Sequence, residues 1–241
     1  MATCQEHYAS VLADAYAWMM GGFDAALARN AAFFAGHDIR PRGNGRAVDL
    51  GAGCGFQSIP LAQRGFTVTA IDSDATLLDQ LRARAGGLPI TVVHDDLLRA
   101  AEHVADPVEL VVCMIDTIIS LPSPAAVQEA CAGAARLLAF GGQFIVIFRE
   151  LTAELTELDR FIPLRSDDTT IMTCFLEYEP ATVKVHDLVY RNESGTWRLH
   201  KSWYRKLRLT REWLTAALRD AGFAAVTTAT AQGMLVVTAT R

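Results

Sequence analysis

The sequence predicts an α/β fold built on an open, mostly parallel sheet, with an antiparallel β segment inserted late in the chain. Three observations predict it. From Arg46 onward strand-like and helix-like segments alternate, the arrangement that gives a parallel sheet with right-handed crossovers. The first of those strands runs into a cluster of glycines followed by a helix. After Phe148 the helical period disappears and strand-like alternation takes over.

Residues 5–36 read as two helices. Tyr8, Val11, Leu12, Tyr16 and Met19 recur at helical spacing, and Gly21-Gly22 breaks the pattern. The stretch RPRGNGR, 40–46, is a loop. Next come strand AVDL, a glycine-rich turn, a helix from about Phe56, strand TVTAID, a helix from about Ala75 and strand ITVV. Strand ELVVCMI, a helix over 124–139 and strand QFIVIF follow. Residues 160–168, RFIPLRSDD, read as a charged loop. Three antiparallel strands then span 169–178, 181–191 and 196–207, joined at Glu179-Pro180 and at 192–195. On the third, Trp197, Leu199, Trp203 and Leu207 share a face expected to cover a core, while His200, Ser202, Tyr204 and Lys206 share the other. A helix over Thr210–Ala221, stopped by Gly222, leads into strands FAAVTT and MLVVTAT around a turn at Gln232-Gly233. The chain thus divides into an N-terminal helical segment (1–45), a core (46–150), an insertion (151–207) and the last helix and hairpin of the core (208–241).

The 241 residues are 51% hydrophobic and 20% charged, with net charge −5, an ordinary globular balance that disfavours a nucleic-acid partner. The stretch from Arg198 to Arg211 holds six Lys or Arg residues around Trp203 and Tyr204, which suits single-strand binding. The alternation argues against that use, because it sets both tryptophans on the apolar face. Cys4, Cys54, Cys113, Cys131 and Cys174 form no CxxC pair and are odd in number, so a reducing cytoplasm is expected, without a disulfide framework or metal site. No signal peptide and no membrane span are expected. A homodimer stays open.

Val48 to Ser58, VDLGAGCGFQS, is the most informative stretch. Gly51, Gly53 and Gly55 let backbone approach a ligand closely, and the following helix offers free N–H groups. Strand TVTAID ends in Asp72, where a carboxylate can accept both hydroxyl hydrogens of an adenosine ribose. A nicotinamide dinucleotide would use the same arrangement, but its G-x-G-x-x-G/A fingerprint needs a small third residue. Phe56 or Ser58 falls there.

Asp49-Leu50-Gly51-Ala52-Gly53-Cys54-Gly55 instead resembles motif I of the class I methyltransferases, D/E-x-G-x-G-x-G. The resemblance covers roughly 46–150 and 208–241. It implies a Rossmann-like seven-stranded sheet with a reversed terminal hairpin, and S-adenosyl-L-methionine as methyl donor. On that reading Asp49, Gly51, Gly53, Gly55 and Asp72 bind the donor. Asp96 and Leu97, in a stretch similar to the family's acidic loop after the third strand, read the adenine. The N-terminal helices of related enzymes form a lid, which makes Tyr16 and Trp18 donor-binding candidates; the alternative is ordinary packing on the sheet. The 151–207 insertion is similar to the substrate-covering sheets of small-molecule members, including glycine N-methyltransferase-like enzymes.

The resemblance therefore implies methyl transfer to a small-molecule acceptor, with no metal required. Asp116, at the end of the fourth strand, Arg149, after the fifth, and Tyr204 are the candidate catalytic residues. Arg149 can fork onto an anionic acceptor or pair with Glu150 or Asp116. His186 and His200 are further candidate bases. An NAD-dependent oxidoreductase and a non-catalytic S-adenosylmethionine-binding module are the competing readings.

Overall fold

The computed structural model describes residues 4–241, so residues 1–3 of the expected N-terminal segment lie outside the described residues. Helix α1 (Cys4–His7), a π-helical stretch (Tyr8–Leu12) and α2 (Ala13–Met19) follow one another directly. They stop where Gly21 and Gly22 take φ of +91° and +98°, a left-handed backbone open mainly to glycine, and α3 (Phe23–Gly36) begins.

The core then runs β1 (Arg46–Leu50), α4 (Ser58–Gln63), β2 (Thr67–Asp72), α5 (Ala75–Arg84), β3 (Ile90–His94), β4 (Val108–Cys113), α6 (Pro124–Leu137) and β5 (Leu138–Phe148). The helix expected from Phe56 starts at Ser58 instead, because Gly51 to Gly55 still turn through positive φ. Side-chain caps mark the other helix starts: Asp74 accepts the Leu77 N–H, and Ser123 the Ala126 N–H with Pro124 first in the helix.

The chain leaves the core for β6 (Phe161–Ser166), β7 (Thr170–Tyr178), β8 (Thr182–Glu193) and β9 (Thr196–Leu207). It returns through α7 (Arg211–Asp220), β10 (Ala225–Ala231) and β11 (Met234–Thr240), as the sequence predicts. The seven-stranded sheet has the order β10-β11-β5-β4-β1-β2-β3, parallel except where β11 runs antiparallel to both β5 and β10. One core, under α6 and α7, gathers Val48, Leu50, Val111, Phe144, Val146 and Phe148. The other, under α3 to α5, gathers Ala47, Val68, Ala70, Leu110, Val112 and Ile145. Alternate residues of the same strands thus feed opposite cores, which is why the strands read as continuous apolar runs.

The insertion departs from its expected form twice. Residues 161–166, expected in a loop, form β6, which pairs with β7 and bulges between Pro163 and Arg165. Pro163 lacks an N–H, and an edge strand accommodates that loss. The faces of β9 are also reversed over most of the strand, although Leu207 is buried in the core as expected. Tyr204 is buried beside Val185, whereas Trp197 and Leu199 are exposed. Both faces of the strand carry large apolar groups, so alternation sets the period without saying which side is inward. No helix among the described residues is long and apolar enough to cross a membrane.

Candidate active site

A cleft of about 770 Å³ lies at the carboxyl ends of β1, β2 and β4, on either side of the point where strand order reverses. Open α/β sheets place their ligands at that point. The glycine turn after β1 forms one wall. Gly51 has φ +77°, and a Cβ there would stand 2.3 Å from Thr117 Cγ2, so the turn rests directly against the loop after β4. Gly53 has φ +52° and its N–H donates to Asp72 Oδ2 at 2.7 Å. The other Asp72 oxygen accepts the Asp74 N–H at 2.8 Å. Burial raises the Asp72 carboxyl above its usual range, opposed by these backbone donors. An ionised carboxylate has lone pairs beyond these two bonds, so Asp72 keeps capacity for ligand hydroxyls.

Gly51, Gly53, Asp72, Asp96, Leu97 and Tyr16 all line the cleft. Asp96 caps the short helix 97–102, accepting the Leu98 N–H at 2.9 Å, and sits across the cleft from the glycine turn. Tyr16 stacks on Phe56, ring centroids 5.8 Å apart, so the N-terminal helix lies over the turn.

The remaining predicted residues stand elsewhere, each for a visible reason. Asp49 is buried beneath the turn, where Ser58 Oγ donates to it at 2.6 Å. Burial pushes its carboxyl up to about 7. Gly55, at φ +93°, is outside the cleft lining, and a Cβ there would meet Leu81 Cδ1 at 2.3 Å. Trp18 also lies outside the lining: its indole donates to Asp167 at 2.5 Å and faces Arg165, tying the helix to the insertion.

None of the three catalytic candidates lines the cleft. Asp116 is buried, with Lys206 Nζ at 2.7 Å, Arg149 Nη1 at 2.5 Å and the Arg149 N–H at 2.8 Å. Burial disfavours its charge, but Lys206 and then Arg149 outweigh that and hold the carboxyl below its usual range. A carboxylate so engaged is a poor base. Of the two roles open to Arg149, the structure displays the pairing with Asp116. Tyr204 stacks on His7, centroids 4.4 Å apart, inside the seam between helix and insertion. Nor do His186 and His200 face the cleft; they pair with Glu177 and Glu193.

Sequence reasoning missed the far wall. Tyr8 and Cys4 reach it from the N-terminal helix, Ser120 from the loop after β4, and Thr182, Arg205 and Leu207 from the insertion. These residues are scattered along the chain and form no motif. Only the position of Ser120, just past a parallel strand's carboxyl end, carried a signal. Arg205 is the one Lys or Arg side chain in the lining, and it donates to Glu179 at 2.8 and 3.1 Å. Loss of solvent contact pushes the Cys4 thiol up to about 11.

With strand order, reversed hairpin and glycine turn together, the fold is that of the class I methyltransferases. Residues 47–142 match the family model described as a methyltransferase domain. A curated relative, the ubiquinone biosynthesis O-methyltransferase of Xylella fastidiosa (strain 9a5c), is 34% identical over 110 residues. That alignment covers 44% of this chain and 42% of the relative, so the chain spans less than half the length of the curated relatives it matches. Two solved structures resemble it almost end to end. DesVI of Streptomyces venezuelae superposes with a TM-score of 0.80 at 17% identity, covering 95% of this chain and 97% of that one. CalS10, an amino pentose methyltransferase from Micromonospora echinaspora, gives 0.71 at 19%, covering 95% of each. The chain therefore has the fold of the class I methyltransferases, and residues 47–142 of its core match a methyltransferase domain.

Proposed function

We propose that the protein transfers a methyl group from S-adenosylmethionine to a small-molecule acceptor by in-line displacement. One observation carries the reading: the cleft lining brings the glycine turn together with Asp72, Asp74, Asp95 and Asp96, and the one Lys or Arg side chain among its described residues, Arg205, is paired with Glu179. That acidic lining suits a cationic donor. Gly53, with no side chain, leaves room for it, Asp72 holds the ribose hydroxyls, and Asp96 with the Leu97 backbone holds the adenine. When bound, the donor supplies a sulfonium-activated methyl group. The protein aligns the acceptor lone pair with it and keeps water out. Tyr16 and Phe56 supply apolar cover on that path.

A dinucleotide-dependent oxidoreductase fits less well. Phe56, where a small residue is needed, is packed between Tyr16 and Phe23. Regarding the acceptor, Ser120, Thr182 and Leu207 of the lining bring no ionisable side chain of their own, and the Thr182 hydroxyl donates to Glu179, which is already held by Arg205. An acceptor bringing its own lone pair, an uncharged amine, suits this lining better than an alcohol, which needs a base. The name of CalS10 agrees with this and that of the ubiquinone relative does not. All five cysteines are free thiols, four of them buried, which fits a cytoplasmic protein.

A panel of small amines and alcohols, read by release of S-adenosylhomocysteine, tests this. Amines should turn over, with kcat/KM rising with pH as the acceptor ammonium deprotonates. Turnover of alcohols alone, or a profile set by an enzyme group near neutrality, contradicts the amine assignment.

A further inference from the structure

The charges of the cleft lining are sorted by position. Asp72 ends β2, Asp74 caps α5, and Asp95 and Asp96 follow β3, so all four carboxylates come from one side of β1. On the other side stands the turn 118–120 after β4, where the lining is Ser120 with Thr182, Arg205 and Leu207 of the insertion. Arg205 is fixed there by its neighbour, since Lys206 reaches Asp116 of the β4 loop at 2.7 Å. Neighbouring strands of a sheet lie about 4.8 Å apart, so the ends of β2 and β4, two strands apart, are separated by about 10 Å.

Arg205 is oriented to hold a planar oxyanion. Its Nε and Nη2 donate to the two oxygens of Glu179 at 2.8 and 3.1 Å, the forked geometry that a carboxylate or a phosphate accepts. The guanidinium also lies over the Trp203 ring, 5.1 Å from its centroid. Glu179 has other donors. The Thr182 hydroxyl donates to it at 2.5 Å, and Lys184 Nζ stands 3.3 Å away. Arg205 and Glu179 are 31% and 28% exposed, and a pair so open to solvent adds little stability. A ligand oxyanion can therefore replace the glutamate on Arg205 without stranding either side chain.

We propose that Arg205 is the anionic anchor of the acceptor: the amine that receives the methyl group carries a carboxylate or a phosphate, which takes the place of Glu179 on the guanidinium. Arg149, where the sequence suggested this role, is held by Asp116 outside the cleft lining. The proposal rests on the methyl-transfer reading, which seats the donor on the glycine turn and Asp72 and leaves Arg205 for the second substrate. The two ends of the cleft then bind opposite charges, sulfonium by the aspartates and oxyanion by the arginine. That polarity sets the direction in which the acceptor lies and disfavours a second cationic group at the Arg205 end.

Titration calorimetry on the full chain saturated with S-adenosylhomocysteine reads this without turnover. The probes are glucosamine, glucosamine 6-phosphate and 2-amino-2-deoxyglucuronate, which carries a carboxylate in place of the 6-hydroxymethyl group. At least one of the two anionic probes should bind about tenfold or more tighter than glucosamine, and Arg205→Gln should erase the difference. Which anion gains tells whether the site takes a phosphate ester, a carboxylic acid or both. Glu179→Gln removes the internal competitor and should tighten the favoured anion severalfold. Adding Arg205→Gln should abolish that gain, a response that a merely structural ion pair would not give. A variant that still binds S-adenosylhomocysteine is folded; if Arg205→Gln does not, Glu179→Gln decides. Equal affinity for all three probes overturns the proposal. So does an advantage that survives in folded Arg205→Gln, or an anion affinity unchanged or weakened in folded Glu179→Gln. If the wild type fails to bind S-adenosylhomocysteine at all, the methyl-transfer reading falls first and this one with it.

Discussion

Asp116 receives hydrogen bonds from Lys206 and Arg149 and faces no ligand, although its position at the end of β4 suggested chemistry. Its backbone, at φ +67°, turns the side chain away from the cleft lining and toward those two cations. The consequences of cutting the cluster are unequal. Lys206 is only 13% exposed, so Asp116→Asn leaves a nearly buried ammonium without its carboxylate and should cost about 3 kcal/mol of stability. Arg149 is 53% exposed, and solvent screens its share of the pair. Arg149→Ala should therefore cost no more than about 1 kcal/mol and leave S-adenosylhomocysteine affinity intact. The pH dependence has a fixed sign. The folded carboxyl titrates below its usual range, so its contribution is present above the unfolded pKa of about 3.9 and disappears as pH falls through the folded value. Urea unfolding at neutral and acid pH checks this: the Asp116→Asn deficit should be full near neutrality and shrink in acid. A deficit constant across that range contradicts the ion-pair account.

The helical run from Cys4 to Met19 touches both halves of the molecule. Tyr16 lies on Phe56 of the glycine turn, while His7 meets Asp187 of β8 at 2.8 Å with both side chains buried. Its middle is π-helical, a register change common where a helix serves a site, and it ends at the glycine pair 21–22. We propose that this helix, which walls the cleft on one side and ends at the glycine pair, is a lid that closes when the cleft fills. Hydrogen exchange over residues 8–19 is expected to slow on adding S-adenosylhomocysteine, more than in α6 on the far side of the sheet. Equal rates with and without ligand would reduce this helix to a packing element.

At the scale of the molecule, the parallel sheet, its glycine turn and the reversed hairpin were legible because each rests on local signals. These are buried strand runs, left-handed glycines, helix caps and a Gln232-Gly233 turn. Six of the nine expected donor residues line the cleft, and the other three stand outside its lining for physical reasons: Asp49 supports the turn, Gly55 makes room for Leu81, and Trp18 binds Asp167. The rest of the cleft lining was illegible because it is assembled from the N-terminus, the β4 loop and the insertion, which only the tertiary fold brings together. The faces of β9 misled for a related reason: both bear large apolar groups, and on one of them Leu207 is buried while Trp197 and Leu199 are exposed. Everything functional still hangs on what the cleft holds. Titration calorimetry of the full chain with S-adenosylhomocysteine and with NAD tests that most directly. The account predicts one S-adenosylhomocysteine site per chain, no heat from NAD, and a loss of about 1.5–3 kcal/mol of affinity in Asp72→Ala. Binding of NAD instead, or unchanged S-adenosylhomocysteine affinity in a folded Asp72→Ala, would contradict it.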